Sequence, residues 1–354
     1  MDMGSPDLNS HYQKLAFELN DGDKGHFLSG WQCDNPFIDE LLAAVRSLTA
    51  SIDYRRYAYF DDDEGLVDAI KDLHKGLDSR APEQVLCGSG ATALLFAFAT
   101  YLRRRNVTSV YYVPPMYFTL HAALDRYGIK AIPVSAAQPY EPSFSLDLPT
   151  EQGAVLILTD PIWYAGKSVP LDAIVEIAAW QERTESVIFV DGSLQYMSWN
   201  GGACEHTALL DPAATFRLVC PSKQLSIHGY RFAYVLGPSL SNDDLAWTYA
   251  NINGPASADS IAFAHLAIPA IARGDIRRQT AAFVSERHQR LRERKIIEST
   301  IAPDCGYFVF EKVNAPLPPQ YTIVDGRYFE QANYPGYMKV NLLSPSINLI
   351  EGNR

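Results

Sequence analysis

A lysine and an arginine eight residues apart, Lys223 and Arg231, are the first candidates for chemistry in this chain. Lys223 follows the apolar run "ATFRLVC", and Arg231 opens a second one, "RFAYVLG". A lysine between two such runs either extends to the surface along its aliphatic stem or is held near the interior for its amine chemistry. An arginine there suits a phosphate, because its guanidinium donates to two oxygens at once.

Three further candidates follow other apolar runs. Gly88 and Gly90 in "CGSGATALL" precede a predicted helix beginning near Ala91, whose free N–H groups and positive end outline a phosphate cradle. A plain strand-to-helix turn explains the same pattern equally well. Tyr117 in "VPPMYF" either stacks on a planar ligand ring or belongs to the core. Asp191 follows "SVIFV", where a carboxylate is costly unless a helix end or a ligand cation pairs with it.

The elements that would position these residues form an alternating pattern. From "DEGLVDAIKDLHKGL" onward, short β-branched strands without polar alternation are interleaved with helices. This pattern predicts an α/β fold with a mostly parallel sheet covered by helices on both faces. Ligands of such sheets bind at the carboxyl ends of the strands, which is where the candidate residues are predicted to lie.

A change in composition near residues 270–300 predicts a second domain. The stretch "AIARGDIRRQTAAFVSERHQRLRERKIIEST" is long, charged and helical, as in helices that connect two domains. We expect a large domain over residues 51–280. A small α+β domain would contain residues 281–354 together with residues 1–50.

Bulk properties favour a folded cytoplasmic enzyme. The 354 residues are 47% hydrophobic and 20% charged, and the net charge of −11 argues against binding to nucleic acid or an anionic membrane. The five cysteines are scattered without a C-x-x-C pair, which fits reduced thiols. We predict no signal peptide, no membrane span and, from the dispersed histidines, no metal site.

Together the candidates match the needs of one cofactor, pyridoxal 5′-phosphate. A lysine amine forms a Schiff base with its aldehyde, and an acid keeps its pyridine nitrogen protonated. A cradle and an arginine hold its phosphate, while a tyrosine stacks on its ring. Each signal is weak alone, but all five, in order at strand ends, predict this cofactor.

The sequence also resembles a known family. "SKQLSIHGYRFAY" is similar to the S-K-x5-G-x-R signature of fold-type I pyridoxal-phosphate enzymes, the aspartate aminotransferase superfamily (class I/II). Ser222, Lys223, Gly229 and Arg231 stand at its fixed positions. The resemblance covers nearly the whole chain through these segments: "FLSGWQCDNPF", "YAYFDDDEGLVDAI", "CGSGATALL", "PMY", "LTDPIWYAGKSVP", "VIFVDGS" and "YMKVNLLSP". It implies a seven-stranded, mostly parallel sheet between two helix layers, and a homodimer with shared active sites.

The resemblance implies a role for each candidate. Lys223 would form the Schiff base and shuttle the proton at the substrate's α-carbon, Asp191 would pair with the pyridine nitrogen, and Tyr117 would stack on the ring. The residues implied at the phosphate are Gly90, Ala91, Thr92, Ser222 and Arg231. Tyr57 or, preferentially, Tyr59 would reach the phosphate of the neighbouring subunit. Gly30 and Lys339 would bind the substrate.

Four positions depart from the family pattern. Lys339 stands where the family has the arginine for the substrate α-carboxylate, and lysine lacks the two-pronged geometry. Trp163, also expected at the cofactor, and Leu194 replace the asparagine and tyrosine that donate to the cofactor's ring oxygen. Cys220 replaces a phosphate-binding serine. Either the enzyme is not a standard amino-acid transaminase, or a register shift brings in a replacement donor from Tyr164, Gln195 or Tyr196.

The expected function is an aminotransferase that uses pyridoxal phosphate on a small-molecule substrate, an amino acid or an amine. The alternative is a relative that uses the same cofactor for elimination, cyclisation, decarboxylation or oxidation, which the substitutions at Trp163, Leu194 and Lys339 favour. A non-catalytic sensor of the same fold is a third interpretation, although no helix-turn-helix region is added to the chain. A nucleotide-binding protein is the fourth, but "CGSGAT" lacks the G-x-G-x-x-G spacing and leaves Lys223 unexplained.

Overall fold

The computed structural model describes the chain from residue 26 to residue 347 with several gaps. The described ranges are 26–60, 63–200, 205–314, 321–322, 324–325, 334 and 336–347. The strands are β1 (His26–Phe27), β2 (Gln84–Gly88), β3 (Ser109–Tyr112), β4 (Lys130–Pro133), β5 (Val155–Thr159), β6 (Val187–Gly192), β7 (Thr215–Val219), β8 (Ala233–Gly237), β9 (Ile297–Glu298), β10 (Phe308–Val313), β11 (Tyr321–Thr322), β12 (Val324–Asp325) and β13 (Tyr337–Asn341). The helices are α1 (Asp39–Thr49), α2 (Glu64–Leu77), α3 (Ala91–Arg104), α4 (Phe118–Arg126), α5 (Leu171–Thr184), α6 (Pro221–Gln224), α7 (Ser239–Asn253), α8 (Ala258–Arg273) and α9 (Asp275–Glu293). Across the described ranges, no helix has both the length and the apolar character needed to cross a bilayer.

A seven-stranded sheet forms the centre of the molecule. Its strand order is β2-β8-β7-β6-β5-β3-β4, and every pairing is parallel except those of β8, which runs antiparallel to both neighbours. This confirms the predicted α/β fold with a mostly parallel seven-stranded sheet. The non-alternating apolar runs are explained by burial on both faces, since all five residues of β5 are buried.

Helices cover the two faces of this sheet and make separate cores. On one face, Phe98 of α3 stacks on Phe189 of β6 with ring centroids 4.0 Å apart, next to Ile157 of β5. On the other face, Leu156 and Leu158 of β5 pack in a second core with residues of α5. Adjacent residues of one strand thus point into different cores, as the two-residue side-chain period of a strand requires.

A small antiparallel sheet lies beside the large one. Its strand order is β12-β13-β10-β9, with Phe310 of β10 opposite Lys339 of β13. A core of buried residues joins this small sheet to α9 and to Leu28, which lies just before the loop of residues 29–32. Strand β13 therefore lies next to the N-terminal segment that the sequence assigned to substrate binding.

Two elements differ from the expectations. The charged stretch near 270–300 is two helices, because Gly274 adopts a φ of +70° between α8 and α9, a left-handed conformation that glycine tolerates. Helix α1 buries Leu41 and Val45 in the same core as Phe263 of α8, on the side of the large sheet. This packing differs from the expected association of residues 1–50 with the small domain. The predicted domain boundaries themselves stay a prediction.

Candidate active site

One cavity at the carboxyl edge of the central sheet brings together residues from segments far apart in the sequence. Its described lining residues are Trp31, Ala91, Thr92, Tyr117, Thr159, Pro161, Trp163, Asp191, Ser193, Leu194, Cys220, Ser222, Lys223 and Arg231. The predicted lysine, acid, stacking tyrosine and phosphate-binding arginine all lie on this wall. The parallel strands explain this convergence, because their carboxyl ends meet at one edge of the sheet.

The start of α3 and the guanidinium of Arg231 lie against each other on the cavity wall. Gly90 caps α3 with φ +90° and ψ 163°, a conformation that only glycine adopts readily. A Cβ at this position would lie 2.7 Å from Nη2 of Arg231, so the guanidinium packs directly on the glycine. Ala91 and Thr92 begin the helix, where N–H groups lack intrahelical acceptors. The helix dipole and the guanidinium therefore direct positive charge at the same place.

Two further residues of the cavity wall, Cys220 and Ser222, contact the backbone just before β8. The Ser222 hydroxyl lies 2.8 Å from the carbonyl oxygen of Tyr230 and 2.9 Å from that of Phe232. Ser222 lines the cavity, but its hydroxyl donates its hydrogen to the backbone, so its contact with phosphate stays a prediction. Burial raises the pKa of the Cys220 thiol, which keeps this group uncharged beside the anion site.

Asp191 provides the negative charge among the described residues of the cavity wall. It is buried at the end of β6, and its Oδ1 accepts hydrogen bonds from Ser193 Oγ at 2.6 Å and from Ser193 N at 3.2 Å. Burial raises the pKa of Asp191, against the opposing effects of Ser193 and Lys223. Since both hydrogen bonds use Oδ1, Oδ2 retains capacity for a cationic partner.

Lys223 lies on the same wall and is close enough to both Arg231 and Asp191 for their charges to affect its pKa. It is held on the single-turn helix α6, directly after β7, and its side chain is half-buried. Its Nζ lies 4.0 Å from the ring centroid of Trp31. Burial lowers the pKa of Lys223 to about 8, and the positive charge of Arg231 acts in the same direction. More of the amine is therefore neutral and nucleophilic near pH 7 than in an ordinary lysine.

Thr159 is a site residue that the sequence analysis missed. It ends β5, in register with Asp191 on β6, and it is buried. Its Oγ1 has no hydrogen-bond partner among the described residues, although the side chain lines the cavity. A buried hydroxyl without a hydrogen-bond partner lowers the stability of the folded protein, so its place on the wall indicates that a polar ligand atom binds nearby. A polar residue closing the apolar run "AVLIL" was the available sequence signal.

Three aromatic rings form the remaining wall. Tyr117 lies edge-on to Trp163, with ring centroids 5.4 Å apart and planes at 74°. Trp31 stacks on Trp163 at 6.1 Å and meets Tyr117 at 90°. Trp31 was also missed, although it directly follows the predicted Gly30. The flat, apolar surface suits a planar ligand ring and apolar substituents on it.

The three side chains considered as replacement donors to the ring oxygen point elsewhere. Their hydrogen-bond partners are Tyr140 for the Tyr164 hydroxyl (3.0 Å), Thr207 for the Gln195 amide (2.6 Å) and Asp78 for the Tyr196 hydroxyl (2.9 Å). None of the three lines the cavity among the described residues, whereas Trp163 and Leu194 do. The described structure therefore does not bring these three side chains to the cavity wall, and the identity of a replacement donor stays a prediction.

Gly30 and Lys339 lie next to the cavity rather than on its described wall. Lys339 is fully buried in β13, and its Nζ donates to the carbonyl oxygen of Ser29 at 3.2 Å. The carbonyl oxygen of Gly30 accepts from the Asn341 amide at 2.9 Å. Lys339 therefore contacts the loop that contains Gly30 and Trp31, and the contact of Gly30 and Lys339 with substrate stays a prediction.

Tyr57 and Tyr59 lie on the surface of the subunit. Their exposed fractions are 82% and 42%, and neither lines the cavity of its own chain. The predicted contact of Tyr59 with the phosphate of a neighbouring subunit stays a prediction.

The residues of the cavity fit pyridoxal phosphate. A phosphate matches the glycine cradle that Arg231 covers, and a protonated ring nitrogen matches the free oxygen of Asp191. An aldehyde matches the amine of Lys223, and the orphaned hydroxyl of Thr159 can meet a polar ring substituent. These groups all line one cavity, so a single ligand can contact them together.

Comparison with protein families agrees with this geometry. The profile of the family "Aminotransferase class I and II" matches residues 27–315. The chain belongs to this family. As a divergent member of it, the class I/II aminotransferase-like enzyme has the fold-type I architecture. No curated protein sequence matches the chain.

Solved structures of this class superpose on nearly the whole aminotransferase-like chain. BacF from Bacillus subtilis, in a substrate-bound structure, has a TM-score of 0.78 at 15% identity over 99% of this chain and 96% of its own. N-succinyldiaminopimelate aminotransferase from Mycobacterium tuberculosis has a TM-score of 0.78 at 14% identity, over 98% and 95%. A probable N-succinyldiaminopimelate aminotransferase from Thermus thermophilus gives 0.75 at 15%, over 98% and 97%. At such identities the likeness shows the shared fold.

Proposed function

We propose that this protein is a pyridoxal-phosphate-dependent aminotransferase acting on an amino acid or amine, with Lys223 as its catalytic residue. One observation carries the proposal: a half-buried lysine with a lowered pKa lies on the same cavity wall as an acid and a glycine–arginine anion site. Membership in the aminotransferase family supports it. A homodimer in the cytoplasm is part of the same proposal.

The bound cofactor would supply an electron-accepting ring that stabilises negative charge at the substrate carbon. Asp191 would hold the proton on the ring nitrogen, and Tyr117 would fix the plane of the ring. Arg231 and the start of α3 would anchor the phosphate. The Lys223 amine would bind the cofactor aldehyde and then, once released by substrate, remove and return the proton at the reacting carbon. A pKa of about 8 suits this base near neutral pH.

A second outcome of the same chemistry has its own support. Trp163 and Leu194 place apolar groups on the cavity wall, so the ring oxygen would have fewer donors than in the family pattern. This favours an enzyme that eliminates, cyclises, decarboxylates or oxidises its substrate. Turnover that requires a keto-acid acceptor would indicate aminotransfer, and turnover without any acceptor would indicate the alternative.

The test of the proposal is covalent trapping at Lys223. Purified protein is mixed with pyridoxal phosphate, its visible absorption is recorded, and borohydride is added before peptide mapping. We expect a visible band in the wild type and a reduced label on the peptide containing Lys223. The Lys223→Ala variant should show neither, whereas the exposed Lys130→Ala control should behave as wild type. A label confined to other lysines, or no band, would contradict the proposal.

A further inference from the structure

Trp31 offers an aromatic face to two lysine amines. Nζ of Lys223 lies 4.0 Å from the ring centroid of Trp31, and Nζ of Lys339 lies 3.8 Å from it. The face of an indole is negative and attracts an ammonium group, most strongly where water is excluded. Trp31 and Lys223 both line the cavity, and Lys339 is fully buried in β13. Trp31 therefore contacts the amine to which the proposed function assigns the chemistry.

The small sheet fixes the position of the indole. The side-chain amide of Asn341 in β13 donates to the carbonyl oxygens of Gly30 at 2.9 Å and Gln32 at 2.8 Å, the residues on either side of Trp31. The indole also meets the ring of Phe308 in β10 edge-on, with ring centroids 4.9 Å apart. Both the backbone and the ring of Trp31 are thus held in place.

The residues that follow the indole are tied to the connection between β7 and β8, which carries Lys223. Sγ of Cys33 lies 3.4 Å from Nε2 of His228, and Nδ2 of Asn35 donates to Oγ of Ser226 at 3.4 Å. His228 and Ser226 both belong to this connection. The placement of the indole relative to the Lys223 amine is therefore set by contacts between the two chain segments as well as by the lysine side chain.

Proton removal changes the charge of Lys223. Under the proposed function, the neutral amine takes a proton from the substrate carbon, so Nζ becomes an ammonium in that step. Burial lowers the pKa of Lys223, and the charge of Arg231 acts in the same direction, so this ammonium is disfavoured. An aromatic face stabilises the ammonium more than the neutral amine. It therefore also stabilises the transition state in which the positive charge develops.

We propose that Trp31 is a positioning residue for Lys223, whose indole face binds the ammonium form of the amine and stabilises it as it takes the substrate proton. In this step the proton moves from the reacting carbon to Nζ, and the electron pair of the broken C–H bond passes to the cofactor ring. The indole gains and loses neither atoms nor electrons. The role in the reaction rests on the proposed function, whereas the contact can be tested without cofactor.

The test measures the ionisation of Lys223 in the full chain without cofactor. Trace acetic anhydride labels neutral lysine amines, and peptide mapping from pH 6 to 11 gives a midpoint for each lysine. Trp31→Phe and Trp31→Leu both make the side chain smaller, but only phenylalanine keeps an aromatic face. We expect the Lys223 midpoint to lie at least about half a pH unit lower in Trp31→Leu, because the ammonium has lost the ring.

A smaller difference between the two variants, or a lower midpoint in Trp31→Phe, overturns the inference. Trp31→Met replaces Trp31→Leu if the latter does not fold, since methionine also lacks an aromatic face. The comparison isolates the ring because the titratable groups that interact with Lys223 stay the same in every variant. They are Cys33, Asp191, Cys220, His228, Arg231 and Lys339.

Trp247 provides the matched control. It is exposed on α7, and Cζ of Arg104 lies 3.9 Å from its ring centroid. Trp247→Leu removes a comparable cation–π contact outside the cavity, so the Lys223 midpoint should equal that of the wild type. A shift as large as that in Trp31→Leu would show that the midpoint follows the loss of any tryptophan, and it would overturn the inference.

Failure of this inference is distinguishable from failure of the proposed function. If borohydride places no label on Lys223 after addition of pyridoxal phosphate, the proposed function fails, and the acetylation midpoints still report the contact with Trp31. If that label forms and the midpoints of Trp31→Phe and Trp31→Leu coincide, only the role of Trp31 is wrong.

Discussion

At the scale of single residues, burial moves two charged groups of the cavity wall, Asp191 and Lys223, towards neutrality. It raises the pKa of the Asp191 carboxyl and lowers that of the Lys223 amine to about 8. Each group therefore gains from a ligand that carries the opposite charge or forms a covalent bond with it. Since a bound ligand would stabilise both groups, these two residues are suitable targets for mutation.

Replacing Asp191 with asparagine should lower turnover strongly. The amide keeps the shape of the side chain but cannot hold a proton on the cofactor nitrogen by charge, so we expect a loss of about 10²–10⁴-fold in kcat. Ser193→Ala is the matched control, since it removes the 2.6 Å hydrogen bond to Oδ1 and keeps the charge. It should lose less than about tenfold, the equivalent of one hydrogen bond. An Asp191→Asn enzyme that turns over like Ser193→Ala would refute the assigned role.

The reaction of Lys223 with the cofactor should depend on pH around 8. Only the neutral amine attacks an aldehyde, and burial lowers the pKa of Lys223 from 10.5 to about 8. The rate at which apoprotein forms the lysine-bound band should therefore rise with pH and level off above a midpoint near 8. Stopped-flow absorbance from pH 6 to 10 measures this. A midpoint near that of an ordinary lysine would show that the amine is not desolvated.

Some of these residues were predictable because their position in the sequence, directly after a predicted strand, is enough to place them at the edge of the sheet where ligands bind. Lys223, Asp191 and Tyr117 each follow an apolar run, and the end of a parallel strand lies at the ligand edge whatever the details of packing. Trp31 was not predictable in this way, because its place depends on contacts with β13, about 310 positions away in the sequence. Thr159 looked like any polar residue that ends a strand, and only the folded cavity shows that its hydroxyl lacks a partner among the described residues.

At the scale of elements, the start of α3 depends on a glycine that brings a guanidinium against the backbone. Gly90 has φ +90°, and the space a Cβ would need is filled by Arg231. The helix contributes N–H groups and its dipole, and Arg231 contributes a full charge from the other side. An anion site of this kind requires close approach, which any side chain at position 90 would prevent.

Gly90→Ala should therefore weaken cofactor binding. The methyl group would displace the Arg231 guanidinium, and we expect a rise in the Kd for pyridoxal phosphate of at least about tenfold, with about 1–3 kcal/mol of backbone strain. Gly128→Ala is the control, because Gly128 also has a positive φ, +67°, but no described atom lies within 4 Å of the place that a Cβ would take. It should lower Tm without changing the Kd. Equal Kd values for both variants would contradict the cradle.

The helices show where sequence reasoning stops. The apolar face of α1 identifies Leu41 and Val45 as buried residues, but the partner of that face is a matter of tertiary packing. The large sheet and the small sheet both border apolar cores, and the sequence does not say which of them α1 packs against. Gly274 was visible within the charged stretch, yet a glycine inside a helical pattern is often tolerated, so the break was missed.

At the scale of the whole molecule, buried carboxyl groups near the sheet make stability depend on pH. Burial raises the pKa of Glu205 to about 7, with the charge of Asp160 acting in the same direction, and raises that of Asp160 to about 6. The folded protein thus keeps protons that the unfolded chain releases near pH 4.5. The favourable contribution is complete below that pH and is lost as pH rises towards the folded pKa values.

The contribution of these two carboxyl groups to the free energy of unfolding should therefore fall between about pH 4.5 and 7, while the lowered pKa values of the buried His74 and His228 contribute in the opposite direction. Glu205→Gln should remove the Glu205 part and make the measured slope against pH more positive. The Glu205 contribution is about 3 kcal/mol, since each unit of pKa shift is worth about 1.4 kcal/mol. Glutamine keeps an oxygen that can accept from the Tyr196 N–H. Urea titrations at several pH values measure the slope, with exposed Glu176→Gln as the control. A slope that Glu205→Gln leaves unchanged would place the linked protons elsewhere.

The antiparallel strand β8 has a consequence for how this catalyst can change. Because β7 ends and β8 begins at the same edge, one short connection, residues 220–232, delivers both Lys223 and Arg231 to the cavity. A parallel successor would begin at the opposite edge of the sheet and would reach this edge again only at its far end. The distance between the Lys223 amine and the Arg231 guanidinium thus depends on the length of this one connection. A single residue inserted between them would change their relative position, whereas Asp191 and Tyr117 lie on other connections and would keep theirs.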